Sequence, residues 1–194
     1  MKLFAPLYER ALVWAAHPRA PWYLGVLSVA ESSFFPIPPD VMLAPMVLAR
    51  PARWWQLALL TTLASVSGGL LGYAIGFYAI DAVLPWLQRV GWYEHYETAR
   101  ALFDEWGVWI VFLAGFSPIP YKVFTIASGA AGMALLPFTL ASLLGRAARF
   151  FLVAALLWKF GPPMQRLIDR HFALLTSLFG VLMVGGFVAV KYLI

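Results

Sequence analysis

The chain contains the stretch Phe35-Pro36-Ile37-Pro38-Pro39-Asp40 and, at an offset of 82 residues, the stretch Ser117-Pro118-Ile119-Pro120-Tyr121-Lys122. These are the first proline stretch (residues 35–40) and the second proline stretch (residues 117–122). Proline has no amide proton and pushes the preceding residue towards extended geometry, so each stretch is expected to break a helix. Broken backbone at membrane depth is tolerated only where it is buried in protein or lines a wet cavity. Paired breaks in two repeats therefore indicate a transport site.

The composition is that of a membrane protein. Of the 194 residues, 62% are hydrophobic and 12% are charged, with a mean hydropathy of +0.80. A soluble domain carries about 25% charged residues. The net charge of +5 is expected to orient the chain in the membrane, not to bind nucleic acid, because no Lys/Arg-rich run is present. The absence of cysteine excludes disulfides and thiolate chemistry.

The apolar runs beside each proline stretch are too short to cross the hydrocarbon layer of about 30 Å. Residues 22–35 would form a helix of about 21 Å, and residues 41–49 are fewer still. We predict that each proline stretch is the tip of a re-entrant helical hairpin. The second hairpin would be formed by residues 106–116 and 123–136.

Longer apolar segments at residues 56–80, 137–160 and 172–190 predict about three full transmembrane helices. The expected fold is therefore an all-α polytopic membrane protein with two opposed re-entrant hairpins in an inverted repeat. Residues 3–16 and 81–105 mix charged and apolar side chains, which predicts interfacial amphipathic helices.

The two halves resemble each other beyond the proline stretches. Ala64-Ser65-Val66-Ser67-Gly68 resembles Ala141-Ser142-Leu143-Leu144-Gly145 at an offset of 77 residues. We expect a single membrane domain over residues 1–194, made of a first hairpin-plus-helix repeat at 22–80, an interfacial linker at 81–105, a second repeat at 106–160 and a C-terminal transmembrane helix at 172–193.

Glycines recur at intervals of four on the first long span, at Gly68, Gly72 and Gly76. This spacing places them on one helix face, where a second helix can approach closely. The partner helix can belong to the same chain or to a second copy of it, so a homo-oligomer is one expectation.

The distribution of basic residues predicts the orientation. If the hairpins do not cross the membrane, 8 basic residues lie on the side of the N-terminus and 3 on the opposite side. Positive charge favours the cytoplasm. We therefore expect a multi-pass membrane protein with a cytoplasmic N-terminus, an external C-terminus and hairpins that enter from opposite faces.

Five ionisable residues lie within apolar segments: Glu31, Asp40, Lys122, Arg146 and Arg149. A charge at the bilayer centre costs about 2.5–3.5 kcal/mol on insertion scales, so these groups must be paired or wet. If the tips meet, the carboxylates of the first hairpin are expected to face the ammonium group of Lys122. A purely structural role as internal ion pairs is the alternative, and the two arginines can lie deep or extend to the surface.

Lys122 is the strongest candidate for binding a ligand. It follows a helix break and stands at the start of a second half-helix, where a cation and free amides together suit an anion such as phosphate. Ser117 could be a further polar ligand or could cap a half-helix. His17, His95 and His171 lie far apart without metal-ligand spacing. No catalytic triad or phosphate-binding loop is present, so we expect no enzyme activity, cofactor or metal.

The run from Phe116 to Ile126, with Ser128-Gly129 behind it, and the stretch from Glu31 to Asp40 resemble the DedA family of membrane proteins. This family is also called SNARE-associated or VTT-domain, and the resemblance is closest to its small YqaA-like branch. It covers roughly residues 22–160. It implies two facing re-entrant hairpins and the movement of phospholipids or polyprenyl-phosphate carriers, with proton dependence in some branches.

The resemblance also implies roles for particular residues. Glu31 and Asp40 match the acidic positions of the first hairpin, with a shorter spacing between them. The family's two arginines around the second tip have no counterpart, because Ser117 and Val123 stand in their place and Lys122 is the only base there. Arg146 and Arg149 could supply the missing cations.

Together with the resemblance, these observations favour a lipid transporter or scramblase of the bacterial inner membrane that moves a phosphate-bearing headgroup. Lys122, helped by Arg146 or Arg149, would bind the phosphate. Glu31 and Asp40 would gate the path or couple it to protons, because a medium of low dielectric favours the neutral form of a carboxyl. A small-solute or ion transporter using the same site, and a membrane scaffold that transports nothing, are the alternatives.

Overall fold

The computed structural model of the chain describes residues 14–15, 17–117 and 119–161, and within these residues it is all-helical. The helices are α1 (Ala20–Ser33), α2 (Asp40–Ala49), α3 (Trp54–Arg89), α4 (Tyr93–Phe116), α5 (Tyr121–Ala130) and α6 (Leu135–Gly161), with a 3-10 turn at Pro51–Arg53 before α3. The predicted interfacial helix at 3–16 falls almost entirely outside the described residues. Pro118 and the predicted C-terminal transmembrane helix at 172–193 fall outside them as well.

Both predicted interruptions of helix are present. α1 ends at Ser33, where the amides of Phe34 and Phe35 both donate to the Ala30 carbonyl at 2.8 Å. The chain resumes as α2 only after the prolines of the first stretch. α4 ends at Phe116, and Ser117 takes the extended conformation (φ −78°, ψ 164°) that a residue before proline prefers.

Two helices are long and apolar enough to cross a membrane within the described residues. They cover Pro51–Arg89 and Leu135–Gly161, and they contain the predicted spans at 56–80 and 137–160. The third predicted span, at 172–190, lies outside the described residues. At 1.5 Å per residue, α3 is about 54 Å long, so it extends well beyond a hydrocarbon layer of about 30 Å.

The segment 81–105 does not form a separate helix, which differs from the sequence-based expectation. α3 continues through Asp81 to Arg89, and α4 already begins at Tyr93. The intervening turn at residues 90–92 contains Gly91 with a φ of +75°, a conformation that side chains with a Cβ rarely adopt. Pro85 lies inside α3 without ending it, so the helix continues past the point where the hydrophobic run ends.

The glycine stripe of α3 packs against helices of the same chain. A Cβ at Gly68 would collide with the Val29 carbonyl of α1, and a Cβ at Gly76 would collide with the Ile126 carbonyl of α5. Gly72, between them, faces the side chain of Thr125 in α5, also within collision distance of an added Cβ. The stripe therefore lets α1 and α5 approach the backbone of α3, so it needs no second copy of the chain.

A similar close approach recurs in the second half. Gly145 of α6 packs against the Phe112 carbonyl of α4, as Gly68 of α3 packs against Val29 of α1. Gly68 and Gly145 are the equivalent last residues of the repeated five-residue segments. The two halves thus share a helix contact as well as a sequence pattern, which supports a duplicated unit.

The apolar core forms two clusters joined by α6. The first contains buried residues of α1, α2 and the start of α3, packed against Phe150, Ala154 and Leu157 of α6. The second contains residues of α4 and α5, packed against Phe138 and Ala141 of α6. α6 therefore holds both halves, and the segment between the clusters carries Arg146 and Arg149.

Candidate functional site

Arg149 of α6 contacts both proline stretches at once. Its Nη2 atom pairs with Oδ2 of Asp40 at 2.9 Å, and its Nη1 atom donates to the carbonyl oxygen of Ser117 at 2.7 Å. Asp40 is the first residue of α2, and Ser117 follows the last residue of α4. The two proline stretches, distant in sequence, therefore meet at one guanidinium group.

Arg146 lies one turn earlier on α6 and forms a buried ion pair with α1. Its Nη2 atom is 3.0 Å from Oε2 of Glu31, and the two side chains are 2% and 14% exposed. Its Nε atom donates to Oγ of Ser65 at 2.5 Å, and Oγ of Ser32 donates to the same Glu31 oxygen at 3.0 Å. The Ser32 and Ser65 hydroxyls are themselves hydrogen-bonded at 2.7 Å. Both charges thus lie in a hydrogen-bonded network, which burial of an ion pair requires.

Aromatic rings enclose the Arg146 guanidinium. Its Cζ atom lies 4.8 Å from the ring centroid of Tyr121 and 4.6 Å from that of Phe150, and both aromatic residues are fully buried. A cation over an aromatic face is attracted by the ring quadrupole, more strongly when water is excluded. The surroundings of Arg146 therefore hold it in one place.

Lys122 does not face a carboxylate, so the expected opposition of Lys122 and the acids of the first hairpin is wrong. Its Nζ atom donates to the carbonyl of Phe35 at 3.1 Å and to that of Phe34 at 3.5 Å. Within the described residues neither carboxylate pairs with it, since Asp40 pairs with Arg149 and Glu31 with Arg146. Arg149 takes this position because its planar guanidinium fork can contact a carboxylate and a carbonyl oxygen at once. Lys122 instead caps the negative end of α1.

Ser117 takes part in the site through its backbone, and its hydroxyl group has no hydrogen-bond partner among the described residues. Its amide donates to the Leu113 carbonyl at 2.8 Å, and its carbonyl accepts from Arg149. Its Oγ atom is buried and makes no hydrogen bond within the described part of the chain. The side chain therefore does not cap a half-helix. Its hydroxyl group remains available as a hydrogen-bond donor in the residue that contacts Arg149.

Sequence reasoning missed the hydroxyl groups that support the buried pair. Ser28 and Ser32 are four residues apart on α1, and Thr61 and Ser65 are four apart on α3. The Ser28 hydroxyl donates to the Thr61 carbonyl at 2.9 Å, one turn from the contact between Ser32 and Ser65. Small polar residues at i and i+4 in each of two apolar helices indicate a polar contact between those helices, so the sequence pattern could have predicted this one.

The site combines a fixed part and an accessible part. Arg146 and Glu31 are enclosed, whereas the Arg149 and Asp40 side chains are 19% and 27% exposed. Lys122 carries a charge that no described carboxylate neutralises. Such a site can bind an anion and can exchange the partners of Arg149. Among the described residues, no group of three His, Asp or Glu side chains could hold a metal ion.

Comparison with known proteins gives a family match. A family model described as VTT domain matches residues 37–159, from within the first proline stretch to the last turn of α6. An uncharacterized protein of Haemophilus influenzae is 48% identical over 156 residues, which cover 80% of this chain and 81% of the relative. An uncharacterized protein of Histophilus somni is 46% identical over 156 residues, with 80% and 82% covered. No solved structure matches the chain significantly.

The matched region contains most of the site described above. It includes Asp40, Lys122, Arg146 and Arg149, and only Glu31 among the charged site residues lies before it. The apolar composition and the two helices long enough to cross a bilayer agree with a membrane location. The VTT domain is the DedA family domain, and since it spans well over half of the chain, this membrane protein belongs to the DedA family.

Proposed function

We propose that this protein moves a phosphate-bearing lipid headgroup across the bacterial inner membrane, as a transporter or scramblase of DedA type. The observation that carries the proposal is the meeting of the two proline stretches at Arg149, which contacts Asp40 and Ser117. Charged side chains within apolar helices are rare and mark substrate or ion pathways.

In this proposal the helix pairs α1–α2 and α4–α5 are re-entrant hairpins that enter from opposite faces of the bilayer. Their tips would meet between the leaflets, where broken backbone must line a polar path. A headgroup would pass between the tips while its hydrocarbon tails stay in the lipid. The partial exposure of Asp40 and Arg149 supports a path on this side of the site.

Lys122 is the proposed primary contact for the phosphate. Its present partners are the uncharged carbonyls of Phe34 and Phe35, so an arriving phosphate would offer a stronger, charge-assisted hydrogen bond. Lys122 also stands in the first turn of α5, whose N-terminal end favours negative charge. The hydroxyl of Ser117, which has no hydrogen-bond partner among the described residues, supplies a further donor.

Asp40 is the proposed gating and proton-coupling residue. Protonation of its carboxyl would remove the negative partner of Arg149 and free the guanidinium group for the phosphate. The same event would loosen one of the contacts that hold the two proline stretches together. Glu31 is a second candidate for proton coupling, but its release would leave the buried Arg146 without a partner, which costs more.

A liposome assay with a labelled anionic phospholipid tests the proposal. We expect Lys122→Met to slow lipid movement about tenfold or more, which corresponds to the loss of about 1.4 kcal/mol from a charged hydrogen bond. Lys122→Arg should keep most of the activity. Arg100→Gln removes an exposed basic residue of α4 and should change nothing. Equal rates for Lys122→Met and the wild type would refute the assignment of Lys122.

One observation favours a second candidate, a membrane scaffold that transports nothing. Both described carboxylates of the site are already paired, as expected if the charges only hold the proline stretches together. A wild-type protein that moves neither labelled lipid nor inorganic phosphate would support the scaffold. Uptake of inorganic phosphate without lipid movement would instead indicate a small-solute transporter.

A further inference from the structure

Resting on the proposed function, we infer that a groove between α1 and α3 is the loading site for an anionic phospholipid. One acyl chain would lie in the groove. The headgroup phosphate would lie at its basic end, beside Arg50 and Arg53. This site is separate from the charges around Arg149.

The groove has the shape and chemistry for a hydrocarbon chain. It has a volume of about 820 Å³, and its walls are almost entirely apolar. On α1 it extends from Pro21 to Ser33, about 18 Å at 1.5 Å per residue. This length is close to one leaflet, half of a hydrocarbon layer of about 30 Å. Small residues widen it, since Gly25 and Ala64 have little or no side chain.

A basic cleft adjoins one end of the groove. This cleft has a volume of about 230 Å³, is lined by Arg50 and Arg53, and shares Pro21 and Leu60 with the groove. Arg50 already interacts within the chain, whereas Arg53 is exposed in the turn before α3. An apolar groove that leads into a cationic cleft is complementary to an amphiphile with an anionic head, and the guanidinium fork suits a phosphate.

The other end of the groove reaches the first proline stretch. Phe34 lines this end, and its carbonyl accepts a hydrogen bond from Lys122. A lipid in the groove would therefore have its headgroup at the arginine cleft and its acyl chain directed towards Lys122, the proposed phosphate contact. This arrangement gives the groove its place in the transport cycle, as the site occupied before the headgroup moves inward.

Photo-crosslinking in liposomes tests the acyl-chain part. The probe is phosphatidylglycerol with a diazirine in one acyl chain, and crosslinked peptides are mapped by mass spectrometry. We expect crosslinks to concentrate on residues 22–34 and 60–78. Ala64→Phe fills the groove and should lower them severalfold, whereas the matched Ala101→Phe, on an exposed position of α4, should not.

Two outcomes of this experiment would overturn the inference. One is an even spread of crosslinks over other exposed apolar positions, such as Leu140 and Leu144 of α6. The other is that a photoreactive residue at Ile75 captures a second copy or residues 162–194 in place of lipid, because the groove would then be a protein contact.

Competition between lipids tests the headgroup part. Unlabelled phosphatidylglycerol should displace the probe from the wild type more effectively than phosphatidylcholine does. Arg53→Gln should lose this preference, and Arg89→Gln, which removes another exposed arginine at the far end of α3, should keep it. No preference in the wild type, or an unchanged preference in Arg53→Gln, would refute a headgroup site at the arginine cleft.

The same variants separate this inference from the proposed function. If the groove is labelled as expected but the wild type moves no lipid, the proposed function fails and the lipid site stands. If Lys122→Met stops lipid movement but the crosslinks do not favour the groove, the proposed function stands and the loading site fails.

Discussion

Arg149 and Asp40 form an ion pair of 2.9 Å that remains 19% and 27% exposed, one helical turn from a second pair that is enclosed. The second pair joins Arg146 to Glu31 at 3.0 Å, with exposures of 2% and 14%. The two pairs have the same chemistry and different surroundings. We therefore expect the enclosed pair to control stability and the accessible pair to control function.

Glu31→Gln should destabilise the protein far more than Asp40→Asn. The first change leaves the buried Arg146 without a counter-charge, at a cost of about 3–5 kcal/mol. The second removes a partly exposed pair, worth about 0–1 kcal/mol. Thermal unfolding in detergent measures both, and a lower midpoint is expected for Glu31→Gln only.

The double variant Glu31→Gln/Arg146→Met is the control for this prediction. It removes both buried charges, so much of the lost stability should return. A Glu31→Gln protein as stable as the wild type, or a double variant less stable than Glu31→Gln, would contradict the assignment of this pair as a structural anchor.

Asp40→Asn should raise the rate of lipid movement. In the proposed mechanism the Asp40 carboxylate holds Arg149, and asparagine keeps the size of the side chain without its charge, so the guanidinium group becomes available to the phosphate. The measurement is the rate in liposomes beside the wild type. A variant that moves lipid no faster than the wild type would show that the charge of Asp40 does not gate the path.

Alanine should have opposite effects at two glycines. A Cβ at Gly76 would collide with the Ile126 carbonyl, so Gly76→Ala should cost about 1–3 kcal/mol through overpacking. A Cβ at Gly25 would meet only the Leu60 side chain, at an ordinary 3.8 Å. Gly25→Ala should be neutral or stabilise by about 0.5–1 kcal/mol, because alanine loses less backbone entropy in a helix. Thermal unfolding in detergent compares them, and equal effects would be inconsistent with the described packing of α3.

Labelling of single cysteines should place the two ends of α3 on opposite sides of the membrane. The chain has no cysteine, so Ala52→Cys and Val90→Cys can be labelled without background. Both positions are exposed, one before α3 and one after it. The basic residues near Ala52 predict labelling from the cytoplasm, and Val90→Cys should react from outside. Labelling of both from one side would refute a membrane-spanning α3.

Some features of the site could be predicted because they depend on local chemistry. The helix breaks coincide with the clustered prolines at positions 36, 38 and 120, whereas the single prolines Pro45 and Pro85 lie inside α2 and α3 without ending them. The presence of charges in apolar segments was also visible, together with the need to pair them. The end of α3 could not be predicted in the same way, because the helix continues beyond the hydrophobic run that defined the predicted span.

The amino-acid sequence by itself determined the membrane character, the helical class and the two interruptions, because hydrophobicity and proline geometry need no partner to act. Only the tertiary structure decided which charges meet. The two proline stretches suggested that Lys122 faces the carboxylates of the first hairpin, yet α6 brings Arg149 to Asp40 and leaves Lys122 on the carbonyls that end α1. Partner choice depends on the packing of α6 between the two halves, which brings Arg146 and Arg149 to Ser65 and Asp40, 81 and 109 positions away in the sequence.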